Sequence, residues 1–400
     1  MVKLKKAATL SDVARDSGVS VITVSGVING SRSNVRVSSK TRARIEEVAL
    51  RLGYRPNAVA RSLAKRRINL IGIVVSFNAS ERLDHVFHLL LDGILEGCVK
   101  YHQRATIYSV SSSTIDERWT LHHCDGLADG FIFIAPAMPM DAAAKLAEST
   151  PFVTIHNSCS PYSATNIDVD NFAGGYMMTH HLTTLGHTKI AHVAGAAHRA
   201  GTTERYMGYK AALGGAGIPL DDELVIPGGY TYNCGRQAAC AILDKYGSRQ
   251  LPTAVFCAND AVGYGVIEGL QAGRVAIPEQ VSVAGFDDAS ISSESSLQLT
   301  TIRQPLHSMG VYAVAKLMSM IDNQFGRQSD VSEDVQSPHR PNSQSDINNA
   351  KQFDSAVLFK PSLVIRNSVS PPSNLQLMSP RTSPFCSQDS DPNDALKGTY

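Results

Sequence analysis

From Leu70 onward, short apolar runs alternate with amphipathic segments, and this rhythm is the strongest constraint on the fold. The runs are 70–75, 105–108, 130–134, 152–155, 189–194, 254–258 and 282–286. The amphipathic segments lie near 84–102, 171–185, 203–216, 233–246 and 260–272. Strands buried on both faces read as nearly unbroken apolar runs, and parallel strands need a crossover, usually a helix. The alternation therefore predicts parallel sheets covered by helices on both faces, an α/β body.

The span 69–366 is too long for one comfortable sheet, so two Rossmann-like lobes are expected, with a ligand cleft beyond the strand carboxyl ends. The expected division is lobe 1 at about 69–168 and 302–325, and lobe 2 at about 169–301 and 355–366. Residues 326–354, rich in Ser, Asp, Gln, Asn and Pro, have no apolar period and read as a disordered insertion. A last strand is expected in 355–366, and the Ser/Pro-rich tail 367–400 reads as disordered.

The sequence carries 37 Lys+Arg against 36 Asp+Glu, but the charge is unevenly spread. Residues 1–68 hold 15 basic and 4 acidic residues, a net +11 that leaves −10 for the remainder. A basic head on an acidic body favours a polyanion, nucleic acid above all. The head also has helical signals. Thr9 caps a helix with Asp12 three residues on, Leu10, Val13 and Ala14 form its stripe, and Gly18 stops it. Ser20 caps a second helix with Val24, Val27 and Ile28 on one face. Ser38 or Ser39 starts a third, striped by Ile45, Val48, Ala49 and Leu52 and closed by Gly53. Two short helices joined by a tight Gly turn, with a third behind, read as a helix-turn-helix domain over 1–54. Residues 55–68 read as a linker, with Pro56 at the first turn of a short helix.

Several stretches resemble the LacI/GalR family of bacterial transcription regulators. In the head these are Thr9 to Ser20, Thr23-Val24-Ser25, Val27-Ile28-Asn29, Lys40-Thr41-Arg42 and Gly53 to Leu63. In the body they are Gly186-His187-Thr188-Lys189-Ile190, Ala258-Asn259-Asp260, Gly285-Phe286-Asp287-Asp288 and Leu299 to Pro305. The resemblance implies an all-α helix-turn-helix head on a periplasmic-binding-protein-like body of two lobes. It also implies a homodimer, a near-palindromic double-stranded DNA operator, and a small-molecule effector, a carbohydrate by family habit, that controls a repressor.

A recognition helix lies in the major groove with its N-terminal residues at base edges. The outward positions here are Val21, Ile22 and Gly26. The family commonly has Arg at the third, so this helix offers thymine-methyl contact rather than guanine readout. Packing of Val21 and Ile22 on the third helix is the competing reading. Ser20, Thr23, Ser25 and Asn29 are placed to bond phosphates, or to cap locally. The loop after Asn29 is longer than is usual in the family, and its Arg32 and Arg36 are candidates to replace the missing contact. By resemblance 56–64 is a hinge helix in which Asn57, Ala60 and Arg61 meet DNA. Its Leu63 would wedge into the minor groove, packing on the body being the alternative.

For the effector, the resemblance points to Arg205, Asn259 and Asp287, and to His156 where relatives often carry Asp. An amide, a carboxylate and an arginine at a cleft mouth suit a polyhydroxylated or charged ligand. Asn259 and Asp260 could equally cap the next helix.

Enzyme signals fail. There is no phosphate-binding G-x-x-x-x-G-K-[ST] and no G-x-S-x-G. Gly263-Tyr264-Gly265 with Gly269 is one residue too long for a dinucleotide fingerprint and falls inside a helix. His122-His123-Cys124 and His180-His181 lack metal-ligand spacing, so neither metal nor cofactor is expected. Seven cysteines without a CxxC predict reduced thiols in a cytoplasm. The N-terminus lacks the apolar core of a secretory signal, and no run of about 18 apolar residues predicts a membrane helix. A periplasmic-type sugar-binding protein shares such a body, but the basic head and the missing signal oppose it. A nucleotide-dependent enzyme has no catalytic constellation to support it.

Overall fold

In the computed structural model, which describes residues 8–29, 37–56, 67–76, 85–110, 124, 126–136, 140–157, 165–197, 199–247, 250–288, 297–324 and 356–372, the first helix starts at a reciprocal cap. The Asp12 amide donates to Thr9 Oγ1 (3.3 Å) and the Thr9 amide to the Asp12 carboxylate (3.0 Å), which opens α1 (Leu10–Ser17). Gly18 ends it in the left-handed region at φ 65°, where an L side chain is strained. The Ser20 hydroxyl then accepts from the Thr23 amide (3.2 Å) at the start of α2 (Val21–Asn29). Ser38 does the same for Thr41 (3.2 Å) before α3 (Ser39–Arg51). These helices bury Val13, Ala14, Val24, Val27, Ile45 and Val48, with Leu10, Ile28, Ala49 and Leu52 half-buried around them. So small a core is marginal in isolation.

The chain divides into two compact units, Met1–Leu70 with Gly126–Asp129, and Ile71–Asp125 with Gly130–Tyr400. The second unit carries the expected strands and helices. In order they are β1 (Leu70–Ser76), α4 (His85–Lys100), β2 (Arg104–Val110), β3 (Gly130–Ile134), α5 (Met140–Ser149), β4 (Phe152–Ile155), β5 (Thr165–Val169) and α6 (Asn171–Thr184). They continue with β6 (Ile190–Val193), α7 (Ala200–Gly215), β7 (Val225–Ile226), α8 (Tyr232–Tyr246), β8 (Ala254–Cys257), α9 (Asp260–Ala272) and β9 (Ser282–Ala284). Last come β10 (Thr301–Arg303), α10 (Leu306–Gln324), β11 (Ala356–Phe359) and β12 (Ser362–Val364).

Two sheets make the two lobes. The first has the order β11-β5-β4-β3-β1-β2, the second β7-β6-β8-β9, and a small pair β10-β12 runs antiparallel. Registers such as Ile73↔Ile132, Phe133↔Thr154 and Val255↔Val283 are parallel, as crossover helices require. The first core is closed by α4 and α10 through Leu90, Ile94, Met309, Val314 and Leu317. The second lobe buries separate clusters on its two sheet faces, one around Val255, Val262 and Val266, the other around Tyr209, Phe256 and Phe286.

Close helix crossings fix the second lobe. A Cβ added to Gly175 of α6 would lie 2.3 Å from the Arg205 carbonyl oxygen of α7. One added to Gly265 of α9 would lie 2.0 Å from the Tyr232 carbonyl oxygen of α8. Of the glycines that imitate a dinucleotide fingerprint, Gly265 and Gly269 serve the packing of α9 on α8, and Gly263 makes room for Leu299.

Two expectations are corrected. Residues 355–366 are not one strand of the second lobe. Ala356–Phe359 pairs with β5 in the first lobe's sheet, Phe359 packing edge-on to Tyr312, while Leu363 pairs with Ile302. Pro361 lacks an amide hydrogen, so the ladder breaks there and the two halves go to different partners. Residues 367–372 are not disordered either. Ser368 is wholly buried, its carbonyl accepts from the Val283 amide (2.9 Å), and its hydroxyl donates to the Val283 carbonyl (2.6 Å). Ser-rich composition hid this because hydroxyls bonded to backbone order a segment without hydrophobicity. The expected insertion 326–354 and the tail from 373 lie outside the described residues. Among the described residues, no helix is long and apolar enough to cross a membrane.

Candidate nucleic-acid interface and ligand site

Val24 and Val27 turn α2 inward, so the opposite face is outward by helical period. Val21 is 42% and Ile22 69% exposed, which sets aside the reading in which they pack on α3. Ser20 and Thr23 hydroxyls sit 2.8 Å apart at the helix start, and Asn29 Nδ2 donates to Ser25 Oγ (3.1 Å) at its end. Gly26 is half-buried between them. The acids of α1 are partly neutralised in place. Asp12 pairs with Arg15 and Asp16 with Arg15 and Arg51, and a Thr9 hydrogen bond holds the Asp12 carboxyl below its usual range. Lys40, Arg42 and Arg44 on α3 are exposed, which leaves the unit basic outward. Arg32, Arg36, Asn57, Ala60, Arg61 and Leu63 lie outside the described residues.

In the second unit, three residues beyond strand carboxyl ends hold left-handed backbone: Ala135 after β3 (φ 48°), His156 after β4 (φ 55°) and Asp287 beyond β9 (φ 115°). Such strain concentrates at functional sites. A hydrogen-bonded chain starts at one of them, His156. His156 Nδ1 lies 2.9 Å from Asp168 Oδ1, which also accepts from Asn171 Nδ2 (3.3 Å). Asn171 Oδ1 accepts from Arg205 Nε (2.9 Å), and the same guanidinium donates to the Ala258 carbonyl. Phe286 lies flat beneath it, 3.6 Å from ring centre to guanidinium carbon. His156 and Asp168 belong to the first lobe, and Arg205, Ala258 and Phe286 to the second. Arg199 links the lobes a second time by donating to the Ala135 carbonyl (2.9 Å).

The four sequence-derived residues therefore fall into different roles. His156 and Arg205 are joined through Asp168 and Asn171. Arg205 sits in the second turn of α7. Asn259 is buried: its Oδ1 caps α9 through the Val262 amide (2.9 Å) and its Nδ2 holds the Tyr230 carbonyl (3.1 Å). The capping alternative thus describes its structural part. Asp260 accepts from the Thr301 hydroxyl (2.5 Å). Asp287 is buried and accepts from Gln304 Nε2 (2.6 Å). Asp288 is clamped by Arg303 and Arg366. Burial pushes the Glu204 carboxyl up to about 7, Asp168 and Asp170 adding repulsion while Asn171 and Arg205 oppose it.

Sequence reasoning missed Asp168, Asn171, Arg199, Tyr230 and Phe286. Only Asp168 left a signal: the alternation Asn166-Ile167-Asp168-Val169 marks a strand with a polar face at its end.

The arrangement offers fixed polar atoms at the ends of parallel strands, where open α/β sheets bind ligands. Among the described residues, no group of three metal-ligating side chains is assembled.

Comparison with known proteins gives a consistent picture. Residues 9–57 match the model described as bacterial regulatory proteins, lacI family, and 179–338 match a periplasmic binding protein-like domain. Catabolite control protein A of Priestia megaterium is 30% identical over 338 residues, which is 83% of this chain and 97% of that protein. The HTH-type transcriptional repressor PurR of Vibrio atlanticus is 32% identical, covering 78% of this chain and 92% of the relative. Among solved structures, a Lac repressor dimer bound to operator and the anti-inducer ONPF superposes with TM-score 0.73 at 25% identity, over 91% of this chain and 100% of the other. A complex of the transcriptional regulator CelR with cellobiose gives 0.62 at 26%, over 90% and 99%.

Proposed function

We propose, since this chain belongs to the lacI family of bacterial regulatory proteins, that a small polar molecule held where its two lobes meet sets its occupancy of DNA. The chain is a DNA-binding transcriptional regulator of the repressor type. The observation that carries the ligand reading is the chain His156–Asp168–Asn171–Arg205, which crosses from one lobe to the other at the strand ends.

A ligand touching His156, Arg205 and Asp287 changes the relative cost of the two lobes' arrangements, and differential affinity of this kind is all that a conformational switch needs. Asn259 acts by holding Tyr230 in place. The fixed donors and acceptors favour a polyhydroxylated molecule of the sugar class, the kind found with CelR. The working form is a cytoplasmic homodimer, and no catalytic step is assigned. In it, hinge residues Asn57, Ala60 and Arg61 meet DNA when the two linkers are correctly spaced, with Leu63 as the wedge. Val21 and Ile22 read thymine methyls, Ser20, Thr23, Ser25 and Asn29 meet phosphates around Gly26, and Arg32 or Arg36 supplies polar readout.

Selection of bound duplexes from a random library at roughly physiological salt tests this, because non-specific phosphate binding is then suppressed. A near-palindrome is expected, following the two-fold symmetry of a dimer. Failure to enrich any sequence, with or without added metabolite extract, would overturn it.

A further inference from the structure

We infer that Asp129 is the positioning residue that fixes how the DNA-binding linker leaves the protein. The inference rests on the regulator reading above. Residues 57–66 must be placed for DNA binding, and the first described residues after them are Arg67, Ile68 and Asn69. All three converge on one side chain. The two carboxylate oxygens of Asp129 accept separately from the Ile68 amide (2.8 Å) and the Asn69 amide (2.8 Å). Arg67 Nε lies 3.7 Å from the same carboxylate, whose side chain is only 6% exposed.

The geometry explains why a carboxylate stands there. The parallel ladder of β1 and β3 begins at Ile71↔Gly130, preceded by one further bond from the Asp129 amide to the Leu70 carbonyl (2.8 Å). Asn69 then takes φ 54° and leaves the strand path. Its amide and that of Ile68 can no longer reach a neighbouring strand. Ile68 is half-buried and Asn69 exposed, and the carboxylate, itself only 6% exposed, gives both amides the acceptor that a neighbouring strand no longer supplies. It is bidentate and charged, and it therefore sets direction as well as attachment. Asparagine would not do: it has one acceptor oxygen, and its NH₂ would face the other amide donor to donor.

The functional consequence is specific. Arg67, Ile68, Asn69 and Asp129 all lie in the first unit, so the described end of the linker hangs on this one side chain. The head's own capped helices do not depend on it. Losing the clamp should leave the head able to touch phosphate while its linker loses the orientation that operator binding requires.

The test compares wild type, Asp129→Asn and Asp129→Ala as full-length protein on the selected operator and on a random duplex of equal length. Thermal melting and amide exchange over 67–70 and 130–134 are read alongside. Wild type must first select an operator; if it does not, the regulator reading fails and not the clamp. The expected result is an operator-to-random affinity ratio lowered about tenfold, roughly the factor one hydrogen bond to a charged group carries. Random-duplex binding and melting should stay near wild type, with faster exchange confined to 67–70. An unchanged ratio overturns the inference. So does a fall in both affinities together with lower melting and faster exchange through 130–134, which would make Asp129 merely structural. If the alanine variant does not fold, the near-isosteric asparagine variant decides.

Discussion

His156 Nδ1 stands 2.9 Å from Asp168 Oδ1, and that carboxylate oxygen also serves the Val169 amide (2.8 Å) and Asn171 Nδ2 (3.3 Å). One buried oxygen thus gathers three donors from β4's end, β5 and α6, at the point where the chain passes from the first lobe to the second. Asp168→Ala leaves all three without it. Truncating one partner of such a network costs about 2–4 kcal/mol. Urea unfolding should show that loss, and a loss under about 0.5 kcal/mol, the scale of an ordinary surface substitution, would deny the network its weight.

Arg205 holds Asn171, the Ala258 carbonyl and the Phe286 face at once. Lysine keeps the charge but has neither the fork nor the plane. Arg205→Lys should therefore destabilise the second lobe by about 2 kcal/mol and abolish the response to any effector that the wild type shows. Wild-type induction by the lysine variant would contradict this.

Gly175 meets the Arg205 backbone where α6 crosses α7. Gly175→Ala puts a methyl 2.3 Å from that carbonyl oxygen and must push the helices apart. A cost of about 1–3 kcal/mol, typical of overpacking, should appear as a lowered denaturation midpoint. Melting as the wild type does would mean that the crossing is looser than described.

His192 is fully enclosed by Tyr209 and Phe256, donates to the Phe256 carbonyl (3.1 Å), and burial drives its imidazole down to about 4. The unfolded chain takes up a proton near 6.5 that the folded chain refuses until about 4. Stability is therefore complete above about pH 6.5 and falls as pH drops toward 4, by up to about 3 kcal/mol at 1.36 kcal/mol per pKa unit. His192→Asn keeps a donor for Phe256 and does not titrate, so its stability curve should lose that slope. An unchanged slope would assign the acid sensitivity to other groups.

Ile22 is 69% exposed on α2. Ile22→Ala should change stability by less than about 0.5 kcal/mol, as surface substitutions do. On the selected operator it should weaken binding several-fold at one base position, the signature of lost thymine-methyl contact. Equal weakening on every duplex would instead make Ile22 a non-specific contact.

Read alone, the sequence determined the head and the architecture of the body. Thr9, Gly18, Ser20 and Ser38 act through bonds spanning three or four residues, so their effect is written locally. The apolar runs from Leu70 dictated buried parallel strands because burial on both faces leaves no polar alternation. The tertiary structure decided what depends on residues far apart in the chain. Asp129 finds Ile68 and Asn69 about sixty residues away, and Arg205, on a helix that crosses α6 closely at Gly175, lies over Phe286. The segment 367–372 was hidden for the same reason: Ser368 gains its place through Val283, and its polar composition is silent about a partner 85 residues distant. Local patterns fix elements, whereas the pairing of polar groups across elements is fixed by packing, which brings donor and acceptor together and removes the water that would otherwise satisfy both.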